Sequence, residues 1–120
     1  MSYMLLIIEP VGQRRTRTEA EGQEAYASMV RFGQGLKERG LLLASESLQS
    51  AAQGARVTVR EGRASIVDGP FAEAKEMIGG FFLLSCKTRE EAVAIAADCP
   101  AAQWCTVEVR GLGPCFDDHS

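Results

Sequence analysis

The densest group of reactive side chains is the run Asp68-Gly69-Pro70-Phe71-Ala72-Glu73-Ala74-Lys75-Glu76. Asp68 ends an apolar stretch, Ala64 to Val67, and Gly69-Pro70 bends the chain behind it. Glycine reaches positive φ, and proline fixes φ near about −65°. A carboxylate beside such a bend, at the mouth of a sheet, can act as a general base or hold a ligand's polar group. It can equally accept backbone N–H bonds and fix the turn. Glu73 and Glu76 share a face if the segment is a helical turn, and Lys75 would hold one of them ionised for acid–base work. The competing reading of that cluster is a solvated face or a salt bridge at a subunit contact. Gly69 and Pro70 read as conformational residues, and Phe71 as a pocket wall or a core plug.

Two isolated acids, Glu9 and Glu46, stand near strand ends and could face the same cleft as Asp68, with Ser45 and Ser47 supplying hydroxyls. The candidate catalytic residues are therefore Asp68 and Glu73. The candidate ligand-binding residues are Tyr3, Glu46, Asp68, Gly69, Pro70, Phe71 and Lys75. One histidine, His119, lies near the chain end, so a Ser–His–Asp or Cys–His nucleophile cannot be assembled around it. The four cysteines, Cys86, Cys99, Cys105 and Cys115, form no CxxC pair, and no metal site is expected. Cys86 and Cys105 lie in strand-like runs and read as small buried hydrophobes. Glycine-rich phosphate loops are absent, and no cofactor is expected.

The 120 residues suggest one domain, residues 1–110, followed by a short tail at 111–120. A net charge of −3 argues against direct nucleic-acid binding, which needs a concentrated basic face. Arg14, Arg15 and Arg17 are the one basic cluster. They read as a solvated loop, with a local anion contact as the functional alternative. The apolar run Met4 to Ile8 is too short for a signal or membrane segment, so a cytoplasmic protein with reduced cysteines is expected.

These residues must be positioned by regular elements. Tyr3 to Ile8 reads as a strand apolar on both faces. Thr18 with Glu21 forms a capping-box pattern at the start of a helix whose stripe is Tyr26, Met29, Val30, Gly33 and Leu36. Gly33 on that stripe suggests close packing against the sheet, and Gly40 is the stop. Leu41 to Ser47 is a second strand, and Ala55–Arg60 with Arg63–Val67 is a hairpin across Glu61-Gly62. Ile78 to Cys86 is the next strand, where Gly79-Gly80 hints at a bulge or a close backbone approach. Thr88 and Glu91 repeat the capping box before a helix with an inner stripe of Ala92, Ile95, Ala96 and Cys99, stopped by Pro100. Gln103 to Val109 completes the order. Two strand–helix–strand units with an inserted hairpin suit an α+β ferredoxin-like sandwich. Two helices cover only one face of such a sheet. The strands Met4–Ile8 and Phe81–Leu84 are apolar on both, so a homodimer joined sheet to sheet is expected. The competing account is coverage by the hairpin and tail.

The run DGPFAEAKE at 68–76, followed by Gly79-Gly80-Phe81-Phe82, resembles the DGPF group of YCII-related proteins. Tyr3-Met4-Leu5-Leu6, Glu46-Ser47-Leu48-Gln49, Cys99-Pro100-Ala101-Ala102 and Val107-Glu108-Val109-Arg110 also match, so the resemblance spans roughly Tyr3 to Arg110. It implies a dimeric α/β-barrel type of fold but no settled activity. It also implies that some members sit beside, or are fused to, extracytoplasmic-function sigma factors. The wider group includes proteins for which a His–Asp pair has been proposed as catalytic. This chain departs there, because His119 falls outside the matched region.

Three functions follow as expectations. The first is binding of a small molecule in a cleft near Asp68, between sheet and hairpin, in a regulatory setting. The second is a cofactor-independent enzyme using Asp68 or Glu73 as general acid–base. The third is a dimerising interaction module.

Overall fold

The computed structural model describes residues 2–116. Strand β1 is Tyr3–Pro10, helix α1 Glu19–Glu38, β2 Leu42–Ser47, β3 Ala55–Arg60, β4 Arg63–Asp68, β5 Glu76–Leu84, α2 Arg89–Asp98 and β6 Thr106–Gly111. Short 3-10 turns occupy Gln13–Thr16, Ala51–Gln53 and Pro100–Gln103. Four strands pair antiparallel in the order β2-β5-β1-β6, and β3 pairs with β4 apart from them. The units β1-α1-β2 and β5-α2-β6 place both helices on one face, which is the α+β ferredoxin-like arrangement expected.

Alternation along β1 sorts its side chains. Tyr3, Leu5, Ile7 and Glu9 are buried, whereas Met4, Leu6 and Ile8 are only half-buried. Across the ladder Leu5 faces Phe82 and Tyr3 faces Leu84, so the buried row continues onto β5 beneath the helices. Leu36 of α1, with Ala92, Ile95 and Ala96 of α2 and Cys99 just beyond it, closes the core from above. Gly33 is the contact point of α1. A β carbon there would stand 3.3 Å from the Phe82 ring, whose plane also takes the edge of Phe32 at 5.2 Å.

The caps explain the helix starts. Thr18 forms both bonds of its capping box with Glu21. Thr88 forms half of one. Its hydroxyl accepts from Glu91 N, but the Glu91 carboxylate takes its bond from Lys87 N rather than from Thr88. Gly40 ends α1 at φ 71°, in the left-handed region. Glu61 and Gly62 turn the hairpin at φ 53° and 77°.

Four expectations are corrected. Tyr3 is 9% exposed and packs in the core, on the far end of β1 from the cleft described below. The segment holding Glu73 is an irregular turn, and Glu76 already belongs to β5, so the two carboxylates do not share a helical face. Cys105 stands before β6 and is only half-buried. The hairpin does not roof the sheet. Every residue of β3 and β4 is exposed, with Val57 at 60% and Ile66 at 67%. The described chain measures 47 × 43 × 22 Å with a radius of gyration of 16.3 Å. A compact domain of this length would have roughly 14 Å, so the hairpin projects as an arm. The tail does not cover the sheet's outer face either, as far as it is described: Leu112 N donates to the Ser2 carbonyl, continuing the β1–β6 ladder by one bond, and Phe116 is exposed. His119 lies outside the described residues.

Candidate functional site

Where α1 diverges from the sheet, its stripe is not covered. Tyr26 is 61% exposed and Val30 42%, although Gly33 and Leu36 on the same stripe are buried. The space between them and the sheet is a cleft of about 530 Å³, within the range of small-molecule sites. Tyr26, Met29 and Val30 form its helical wall, Phe82 and Trp104 its apolar base, and the end of β2 with Gly79-Gly80 its rim.

Glu9 and Arg14 stand on the floor. The alternation of β1 carries Glu9 to the helix side, where it is 6% exposed, the one buried charged residue among those described. The 3-10 turn after β1 returns Arg14 onto it, with Nε donating to Glu9 Oε1 at 2.5 Å and Nη1 donating to the Leu48 carbonyl at 2.9 Å. The guanidinium thus ties β1 to the end of β2. A carboxylate taken out of water needs such a partner. Gly79 makes the room. A β carbon at 79 would stand 2.6 Å from Glu9 Oε2 and 3.0 Å from Arg14 Nη2. At Gly80 it would stand 2.8 Å from the Glu46 carbonyl. The glycine pair inside β5 is therefore the seat of the ion pair and of strand β2.

Arg17 lies on the Trp104 ring, 5.6 Å from its centroid. Gln13 Nε2 donates to the Trp104 carbonyl at 2.6 Å, fixing that residue against the turn. Cys105 follows. Burial, with the nearby Glu9 carboxylate contributing, pushes its thiol from the usual 9.0 up to about 11, so it is a thiol at neutral pH and not a nucleophile.

Of the sequence-predicted residues, Glu9, Ser45, Glu46 and Ser47 line this cleft, and the others fall elsewhere. Glu46 borders the cleft at the β2 rim. Its register partner is Phe81, which neighbours the helix-facing Phe82, so the Glu46 side chain belongs to the outer face. Asp68 is exposed at the end of β4, opposite Ala55. Gly69 N donates to the Gly54 carbonyl at 2.8 Å, and a β carbon at Gly69 would run into the Ala51 carbonyl. The Gly69–Pro70 peptide is cis. Phe71 lies under the Arg56 guanidinium at 4.0 Å. Lys75 is exposed, and its carbonyl accepts from Val11 N. The run thus closes the root of the hairpin arm. A second hollow of about 510 Å³ lies beside that root, lined by Ile8, Leu48, Ser50, Arg56 and Met77 rather than by Asp68.

The sequence marks Arg14 and Arg17 only as part of a basic loop cluster, solvated or touching an anion, and does not single out Trp104. The arginines look like loop residues, because nothing local shows that the turn folds back onto β1. The usable signal was Gly79-Gly80. Two glycines within an otherwise bulky strand mean that something large sits over them.

Among the described residues no helix is long and apolar enough to cross a membrane. An uncharacterized protein of Rhizobium meliloti, R00369, is 43% identical over 53 residues, covering 42% of this chain and 43% of that protein. The match thus spans less than half of that relative's length. The structure of 5-chloro-2-hydroxyhydroquinone dehydrochlorinase from Burkholderia phenoliruptrix, in complex with 2,5-dihydroxybenzoquinone, superposes with a TM-score of 0.55 at 14% identity, covering 94% of each chain. That likeness is one of fold. The YCII-related domain matches residues 1–114, nearly the whole sequence, and the chain belongs to the YCII-related family.

Proposed function

We propose that this protein binds a small molecule in the cleft between α1 and the sheet, with the Glu9–Arg14 pair at the polar end, and that it does so as a homodimer. One observation carries the reading: a buried carboxylate and its guanidinium, held at the floor of a cleft of about 530 Å³ with apolar walls and a polar rim. Polar groups are costly to bury, and a fold that needed only stability would fill this place with apolar side chains. The structural neighbour holds a small quinone, a molecule of suitable size for such a space. Asp68 and Glu73, as expected catalytic residues, lie on the hairpin side, so this reading gives them a role in the arm rather than in the cleft. A regulatory setting beside sigma factors is compatible with ligand sensing and belongs to the proposal only through the family.

The dimer is supported by what the chain leaves open. Met4, Leu6, Ile8, Phe81 and Leu83 make a half-buried apolar outer face, and Ile78 on it is 47% exposed. The arm is a two-stranded ribbon with Val57, Val59 and Ile66 on one side, and such a ribbon is marginal by itself in water. A second copy placed sheet to sheet would cover the face.

A second reading, acid–base catalysis, is favoured by the same buried carboxylate. Glu9 rather than Asp68 would then carry the proton. The test is ligand-observed NMR with a library of one- and two-ring compounds on the wild type and on Gly79→Ala, alongside sedimentation of Leu6→Arg. Hits that vanish in Gly79→Ala, and a wild-type dimer that Leu6→Arg converts to monomer, support the proposal. Hits that survive Gly79→Ala place binding elsewhere.

A further inference from the structure

Resting on the cleft as the binding site, we infer that its ligand is a small organic anion: an apolar body of one or two rings carrying one carboxylate-like group, which Arg17 receives. The argument is one of charge. The chain has a net charge of −3, yet the cleft is lined by Arg14, Arg17 and Lys37 against the buried Glu9. Glu9 and Arg14 satisfy each other at 2.5 Å, so that pair contributes little net charge. Glu46 reaches the rim by its backbone, its register placing the side chain on the outer face. Glu21, near Arg17, is committed to the Thr18 N–H of the capping box. What remains facing the cleft is the charge of Arg17, with Lys37 further along α1.

Arg17 is also set up to receive an anion. Its guanidinium carbon stands over the Trp104 ring, 5.6 Å from the centroid, and Trp104 is itself pinned through its carbonyl by Gln13. A guanidinium held over a ring face still has N–H groups to offer, and a carboxylate takes them in pairs. Apolar walls of Tyr26, Met29, Val30 and Phe82 lower the local dielectric and strengthen that attraction. An organic cation would meet Arg17 and Lys37, and a neutral ring would leave Arg17 unanswered.

Trp104 is the single tryptophan of the chain and lines the cleft, so its fluorescence reports binding directly. The experiment titrates benzoate, benzyl alcohol and benzylamine at neutral pH. Saturation-transfer NMR runs in parallel as a readout independent of tryptophan. The expected result is benzoate at least about tenfold tighter than benzyl alcohol, with benzylamine weakest. Added salt should weaken benzoate alone. Arg17→Met removes the benzoate advantage while benzyl alcohol binds as before, and Arg17→Lys restores part of it. Benzyl alcohol or benzylamine binding in the cleft as tightly as benzoate overturns the anion inference and leaves the cleft standing as a binding site. No response from any of the three up to about 10 mM overturns both.

Discussion

Two glycine-centred regions organise this molecule, and they differ in what the glycine makes room for. At Gly69 the neighbour is backbone: the Ala51 carbonyl occupies the place where a β carbon would be. At Gly79 the neighbour is chemistry: the Glu9 carboxylate and the Arg14 guanidinium lie over the strand. The first region is loud in sequence, nine residues of mixed charge around a Gly-Pro bend, and closes the root of an exposed arm. The second is quiet, two glycines in an apolar strand, and seats a buried ion pair. Density of reactive side chains along the chain is thus a poor guide to where charge is buried. Charges that stay in water cost little to place, whereas a buried pair needs space made for it from another element.

The comparison can be broken most forcefully at the glycines. Gly69→Ala and Gly79→Ala should each destabilise by about 2 kcal/mol or more, because the added carbon meets atoms at closer than contact distance. They should part on function. Gly79→Ala should abolish cleft binding, read by Trp104 fluorescence, whereas Gly69→Ala should disturb the arm and the dimer and leave monomer binding intact. Equal loss of binding in both would mean that the two regions form one site.

Next in size is the pair itself. Arg14→Met strands a buried carboxylate and should cost about 2 kcal/mol in urea denaturation, less than a fully buried pair because Arg14 is a third exposed. The double variant Glu9→Leu with Arg14→Met removes both charges and leaves Arg17 in place, so it should recover much of that stability and, with it, benzoate binding. Recovery of stability without binding would mean that the pair itself contacts the ligand.

A smaller, pH-dependent effect sharpens the same end of the cleft. The Cys105 thiol is raised from 9.0 to about 11, chiefly by burial and then by Glu9. Between those values the folded chain keeps a proton that the unfolded chain has lost, so the thiol's contribution to stability is full below pH 9 and declines as pH rises toward 11. Cys99 and Cys86 shift in the same direction, again chiefly through burial. Denaturation midpoints measured from pH 8 to 11 should fall, and Cys105→Ala should flatten the slope. Smallest of all, Thr18→Ala should cost about 1 kcal/mol and Thr88→Ala less, since only Thr18 closes both bonds of its box.

Most of the fold was legible because its signals are local. The Thr18 capping box, the apolar run of β1, the Glu61-Gly62 turn and the α2 stripe each depend on residues within a turn or two of one another. Gly33 was legible as a close approach, and Phe82 is what it approaches. The site was not legible, because it joins residues from β1, the turn after it, β2 and β5. Glu9 could be named as an acid near a strand end, but the pleat that turns it inward is set by a register visible only in the sheet. Arg14 looked solvated because its partner lies five positions back, across a change of chain direction. Asp68 read as the polar group of a cleft because the hairpin it ends was expected to form one wall of that cleft with the sheet, whereas the hairpin is exposed along its whole length.

The central claim is that binding belongs to the Glu9–Arg14 cleft and not to the Asp68 bend. Benzoate titrated against Asp68→Asn and Arg14→Met, each checked for folding by circular dichroism, tests it most directly. The account predicts affinity within about twofold of wild type for Asp68→Asn and a loss of at least about tenfold for Arg14→Met, which leaves the Glu9 carboxylate unpaired in the cleft to repel the benzoate that Arg17 holds. Weakened binding in Asp68→Asn with Arg14→Met unchanged would contradict it.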